Sequence, residues 1–252
     1  MTRLIVEHDA CSIGVRFPAA VMLQGIDQSV PGSVLDTEAR RIADSGTWKA
    51  SADDREVSAT RALYARLGYP RVVPSGEQLR QTFNPADDRT SSALVRAIHL
   101  ASYQYAIAIG AYDTTRLPIK ELRIWRASGT EHWCFGQDAS CSIPSGDLVY
   151  GFRGSEEIDD QPVGWLGAET GTDQRSTVGR HTATAVVVIL GNEETPTHYT
   201  CGILRWLAEV LVSVNAVQIW SFLLVEYASV RRKPNVQLSH PSGLQGQFIL
   251  TR

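Results

Sequence analysis

Side chains that move protons near neutral pH are imidazoles and suitably placed carboxylates, and two positions in the sequence meet that description. His99 lies in a stretch where Leu94, Ile98 and Leu100, with Ala97 and Ala101, suit a buried helix, and Ser102 follows on a neighbouring face. Such a histidine is either a general acid or base, or a core side chain satisfied by one backbone carbonyl. Glu131 follows the tight turn at Gly129 and precedes His132 and Trp133. Its carboxylate either serves a ligand, as a base or as the partner of an ammonium, or caps that turn. Other reactive residue types do not converge. Glu131, His132 and Cys134, and the pair His198 and Cys201, lack a second matching pair, so no zinc set of three or four ligands emerges. Ser102, His99 and Asp113 make a hydrolase-like trio, but 252 residues nearly always offer one. No P-loop, dinucleotide-binding, HExxH or GxSxG pattern occurs, and no cofactor is expected.

The elements that must position these residues follow from periodicity and turn chemistry. Residues 2–7 and 11–26 mix apolar and β-branched residues with turn formers and predict short strands. Residues 33–45 turn helical and stop at Gly46, and 54–67 predict a second helix with Gly68 at its C′ position. Ser75 reads as the N-cap of a third helix, with Gln78 at the capping-box position and an end near Phe83. Residues 91–106 form the helix of His99 and Ser102. Strands dominate afterwards, at 122–125, 147–152, 163–166 and 183–190, before an amphipathic helix at 201–214 and a last strand at 219–225. This mixture predicts an α/β (α+β) fold and one domain over 1–252.

Composition narrows the partners. With 43% hydrophobic and 20% charged residues the chain can build a sizeable core, which excludes general disorder. A net charge of −3 gives no global footprint for nucleic acid, so a role on one needs a local basic patch. Arg61, Arg66 and Arg71, or Arg231, Arg232 and Lys233, are the candidates; such clusters also occur as solvated surface. The acidic run Glu156, Glu157, Asp159 and Asp160 reads as a solvated loop, since nothing aims its carboxylates at one point. Cys11, Cys134, Cys141 and Cys201 show no disulfide framework and read as reduced thiols. The first ten residues lack the apolar core of a signal peptide, and the apolar stretch 217–225 is too short for a bilayer, which takes about 20 residues. A soluble cytoplasmic protein without a membrane partner is expected.

Several stretches, in order, resemble a known family. Residues 61–83 join a helix ending in Gly-x-x-Pro to a Pro-Ser-x-Glu-x-Leu helix; His99 and Ser102 precede Gly110-Ala111-Tyr112-Asp113. Residues 122–131 form a strand and a Gly-x-Glu turn, residues 146–150 a Gly-Asp-x-Val-Tyr hairpin, and Asp173 and Arg175 a closing turn before Thr182. Together, over about residues 50–215, these are similar to free-standing relatives of the B3/B4 domain of the phenylalanyl-tRNA synthetase β subunit. The resemblance implies a layered mixed β-sheet sandwich with flanking helices, on which 1–49 pack as strands and a helix, while 216–252 form a C-terminal extension. It also implies a pocket for an amino-acid-like ligand, since the synthetase domain hydrolyses tRNA mischarged with tyrosine.

Departures from the family bear on mechanism. Gly110 stands where the resemblance would place an editing histidine, and an apolar residue near Val188 where it would place a glutamate. His99 replaces the family's asparagine, and Arg96 an aspartate. On this reading His99 and Glu131 are the catalytic candidates, and Ser102, Tyr103, Tyr105, Tyr112, Trp133, Asp173 and Arg175 the substrate-binding ones. Arg175 suits bidentate pairing with a ligand carboxylate, and the aromatics suit either core or a wall for an aromatic ring. Loss of the editing residues favours a cofactor-independent enzyme acting by acid/base chemistry on an aromatic amino acid or amine, for instance condensing it with an aldehyde. The alternatives are a trans-acting aminoacyl-tRNA deacylase, with tRNA as partner, and a binding protein without catalysis. A homo-oligomer is compatible with each.

Overall fold

A strand that is apolar on both faces needs cover on both sides, and the sequence contains two such strands, Ala19–Gln24 and Thr184–Ile189. The computed structural model describes residues 3–45, 53–85, 92–115, 121–134, 139–152, 161–167 and 174–228. Its elements run β1 (Arg3–Val6), α1 (His8–Ser12), β2 (Ala19–Gln24), α2 (Asp36–Ser45), α3 (Asp53–Arg66), α4 (Ser75–Thr82), α5 (Ala93–Tyr105), β3 (Ile109–Asp113), β4 (Glu121–Arg126), β5 (His132–Cys134), β6 (Ser140–Ser142), β7 (Leu148–Phe152), β8 (Gln161–Trp165), β9 (Thr184–Ile189), α6 (Thr197–Ser213), β10 (Ile219–Phe222) and β11 (Leu224–Tyr227). The fold is α+β, as expected.

A four-stranded antiparallel sheet, in the order β10-β2-β9-β3, stands at the centre. On one face Ala19, Val21, Leu23, Ala185, Val187 and Ile189 meet Leu94, Leu100, Leu204 and Leu207 of α5 and α6. On the other face Ala20, Met22, Val186 and Val188 meet Leu4, Leu122, Ile124, Leu148 and Val163 of a five-stranded sheet, in the order β11-β1-β4-β7-β8. In that second sheet β1 is parallel to both neighbours and the remaining pairs are antiparallel. The layers are therefore helices, sheet, sheet. On the outer face of the second sheet Trp125, Val149 and Trp165 lie side by side by register, and the β5–β6 hairpin covers them with Trp133 and Ile143.

Arg96 ties α5 into this frame. Its fully buried guanidinium donates to the carbonyls of Gly32 (2.7 Å) and Pro85 (3.2 Å) and to Asp36 (2.6 Å). A buried charge is tolerated only with such partners, and these fix the helix one turn before His99.

Four sequence expectations change. The stretch 11–26 is not all strand: its first residues complete α1. Ser75 is the first helical residue of α4 and Pro74 the N-cap, without a side-chain cap bond, so the capping box does not form. The segment 219–225 splits into two strands belonging to different sheets, broken at buried Leu223, whose N–H donates to Ala20 (3.0 Å). Residues 216–228 thus complete both sheets and are no mere appendage. Helix α6 also begins earlier than read, behind Pro196 as its N-cap.

Candidate functional site

Where α5 leaves the frame, its last residue is followed by Ala106 in the left-handed region (φ 50°), which turns the chain into β3. A cavity of about 540 Å³ opens between that turn, α3, α4 and the facing ends of both sheets. This is the size of a small-molecule site. Helix α5 presents Ile98, His99 and Ser102 to it, which are neighbours on one helical face. Thr60, Leu63 and Tyr64 of α3, Gln78 and Leu79 of α4, and Val188 of β9 contribute further wall. Among the described lining residues there is no Asp, Glu, Lys or Arg.

His99 packs edge-on against Phe83, with ring centroids 5.5 Å apart, and Phe83 in turn meets Tyr103 at 5.9 Å. Arg80 closes this corner by donating to the carbonyls of Tyr103 (3.2 Å) and Gln104 (3.0 Å), acceptors that the end of α5 leaves unpaired. The imidazole is therefore held between two helices with the cavity beside it.

Also in the lining, Tyr112 and Tyr150 bring their hydroxyls into a mutual hydrogen bond, their rings edge to face at 5.2 Å. Burial raises both phenols, Tyr150 to about 12 and Tyr112 well above the ordinary range, so both are neutral at physiological pH. Tyr64, itself raised by burial, lies close enough to push them further. Asn192 completes the polar part of the wall, donating to Thr60 at 3.0 Å.

The residues singled out from sequence separate into groups. His99, Ser102 and Tyr112 meet in the cavity. Tyr103 is buried in the helix-side core, and Tyr105 packs on Tyr199 at 5.8 Å, both away from the lining. Glu131 and Trp133 belong to the tryptophan cluster outside the second sheet, and neither lines the cavity. The Glu131 carboxylate accepts the Trp125 indole N–H (3.0 Å), the Ser128 N–H (2.9 Å) and hydroxyl (3.0 Å) and the Gly129 N–H (3.1 Å). Burial alone would raise its pKa, but these donors outweigh it and hold the carboxyl below the usual range. Arg175 is exposed and reaches the His132 carbonyl at 3.4 Å. Asp173 lies outside the described residues, as do Glu156 to Asp160 and Arg231 to Lys233.

Asp113 acts as a turn former, accepting the Thr115 N–H (2.8 Å) and the Thr182 hydroxyl (2.7 Å). Gly110 and Val188, the two positions vacated by editing residues on the family resemblance, are partners across β3 and β9 and both line the cavity. Of the basic residues, Arg61 pairs with Glu77 and Arg66 reaches Glu193 at 3.5 Å, which offsets their charge. Sequence reasoning missed Thr60, Tyr64, Tyr150 and Asn192. Tyr150 alone carried a signal, since it alternates with Val149 and so faces the cavity side of β7.

No helix among the described residues is long and apolar enough to cross a membrane, and they contain no cluster of His, Cys, Asp and Glu able to hold a metal. No family model matches the chain. No curated protein matches it by sequence. A solved N-terminal fragment of the phenylalanyl-tRNA synthetase β subunit from Pyrococcus horikoshii is weakly similar in fold, with a TM-score of 0.47, 9% identity, and coverage of 90% of this chain and 52% of that one. The chain thus spans about half the length of that fragment, and the likeness is one of fold.

Proposed function

We propose that the chain is a cofactor-independent enzyme using acid/base chemistry on a small aromatic molecule, with His99 as the proton carrier and an aromatic amine as the preferred substrate class. The supporting observation is the wall itself: a cavity of mixed apolar and polar side chains whose described lining holds one imidazole and otherwise uncharged groups. A zwitterionic amino acid would bring an ammonium and a carboxylate, each losing hydration on entry, and the described lining offers neither a counter-charge. An amine entering as the free base avoids that cost. The saturated hydrogen bonding of Glu131 argues against a second proton carrier there, so the proposal places the transfers on His99.

Condensation with an aldehyde fits one imidazole acting in turn as acid and base. The amine nitrogen attacks the carbonyl carbon and passes one of its protons to the oxygen, a second proton from the imidazolium lets water leave, and a protonated C=N bond remains. A ring carbon can then add to the protonated imine, and the ring proton departs to a base. Each transfer is reversible and uses the same group.

Calorimetry and thermal shift with 2-phenylethylamine, phenylalanine and total tRNA at low and moderate salt test the reading. Saturable binding of the amine, weaker binding of phenylalanine and no affinity for tRNA are expected. Salt-sensitive binding of tRNA without small-molecule binding would replace the enzyme with the deacylase alternative.

A further inference from the structure

We infer that the Tyr112–Tyr150 hydroxyl pair is a recognition subsite for a neutral acceptor on the ligand, a carbonyl oxygen such as that of an aldehyde; this rests on reading the cavity as a ligand site. Two hydroxyls carry two hydrogens, and their mutual bond uses one. Among the described residues no other hydrogen bond engages either hydroxyl, so one donor remains in a pair whose rings both line the cavity. A buried donor without a partner is costly, which makes a ligand acceptor at that point worth more than the same contact on a surface.

The pair is built into the sheets by two glycines. Tyr112 folds back over Gly110 on its own strand, where an added Cβ would sit 2.7 Å from the ring carbon Cζ. Tyr150 lies across Gly164, its partner in register on β8, where a Cβ would come within 2.7 Å of the hydroxyl oxygen. Each ring therefore occupies the volume of a missing side chain, one from each sheet. Neither glycine needs an unusual φ, so close approach is the reason for both. Because both phenols stay neutral, the subsite donates without adding charge to the wall. A carbonyl oxygen placed there has its carbon polarised toward an attacking amine, with His99 in the same lining to move the proton.

The test compares benzaldehyde, which has the acceptor, with toluene, which does not, by calorimetry on the wild type, Tyr112→Phe, Tyr150→Phe and the double variant. Each single variant releases the remaining hydroxyl from the pair with its hydrogen intact, so the benzaldehyde-to-toluene affinity ratio is expected to stay within about threefold of wild type. In the double variant the ratio is expected to fall about tenfold, the size of one hydrogen bond in a dry site. The infrared C=O stretch of bound benzaldehyde should lie lower in the wild type than in the double variant. If the double variant loses its cooperative melt, that stretch in the wild type decides: a frequency equal to benzaldehyde in an apolar solvent overturns the subsite. An unchanged ratio in a folded double variant overturns it too, while leaving the cavity a ligand site. Failure of both probes to bind the wild type removes the ligand site and the subsite together.

Discussion

Two regions of the molecule hold polar side chains in opposite states. In the tryptophan cluster outside the second sheet, Glu131 and Asp147 are buried carboxylates that each accept an indole N–H, from Trp125 at 3.0 Å and from Trp165 at 2.8 Å. Their remaining capacity goes to backbone N–H groups, a serine hydroxyl and the Tyr69 hydroxyl. In the cavity, which borders that cluster at Trp165, the polar groups are an imidazole, hydroxyls and the Gln78 and Asn192 amides, and one hydroxyl hydrogen of the tyrosine pair is left over. The two carboxylates of the cluster are saturated, while the Trp133 indole N–H has no partner among the described residues; saturated groups brace a scaffold, whereas a group with spare capacity beside a void can serve a ligand. Sequence placed His99 and Glu131 in one mechanism because both have the right chemistry. Three dimensions divide them by place: His99 lines the cavity, whereas Glu131 is enclosed by its donors away from it.

The most damaging change expected on the scaffold side is Trp133→Ala. It empties the centre of a fully buried cluster, and urea unfolding should register a loss of about 3–5 kcal/mol, the usual size for a buried large aromatic. If stability barely moved, the cluster would not be the scaffold described. On the other side of the comparison, His99→Ala should lower turnover of an aromatic amine with an aldehyde by about 10²-fold or more while the melting curve stays cooperative. Turnover within a few-fold of wild type would take the imidazole out of the mechanism.

Glu131→Gln should do the reverse, leaving turnover within a few-fold and reducing stability by about 1–3 kcal/mol as its donors lose a charged acceptor. The folded carboxyl titrates below its unfolded counterpart, so its contribution is present above the ordinary glutamate range and lost as pH falls through the lowered value. Acid unfolding of the variant should accordingly be less steep than that of wild type. The smallest effect is expected from Tyr69→Phe, which leaves Asp147 its bond to Trp165 and should cost about 1 kcal/mol in the same assay. A large drop in turnover from Glu131→Gln or Tyr69→Phe would erase the division between the two regions.

Much of the frame was legible beforehand because period and turn chemistry are local. Helices α3 and α5, and strands β4, β7, β8 and β9, fall within a few residues of where apolar spacing put them. Strand β3 escaped notice because Ile109-Gly110-Ala111-Tyr112-Asp113 lacks a β-branched run and owes its state to pairing with β9. The short strands β5 and β6 form only because Trp133 has a tryptophan face to cover. Within the site, His99 and Ser102 were found by type and helical spacing, and Tyr112 through the Gly-x-Tyr-Asp resemblance. That Tyr150 seats over Gly164 could not be found, since a cross-strand register decides that they meet.

By itself, then, the sequence determined the element types, the charge balance and the presence of a few groups able to move protons, all of which depend on residue identity and near neighbours. Tertiary structure alone decided which of those groups were spent. The number of hydrogen-bond partners around Glu131, the seating of two tyrosines over two glycines and the opening of a cavity beside His99 are properties of segments far apart in the chain, brought together by packing.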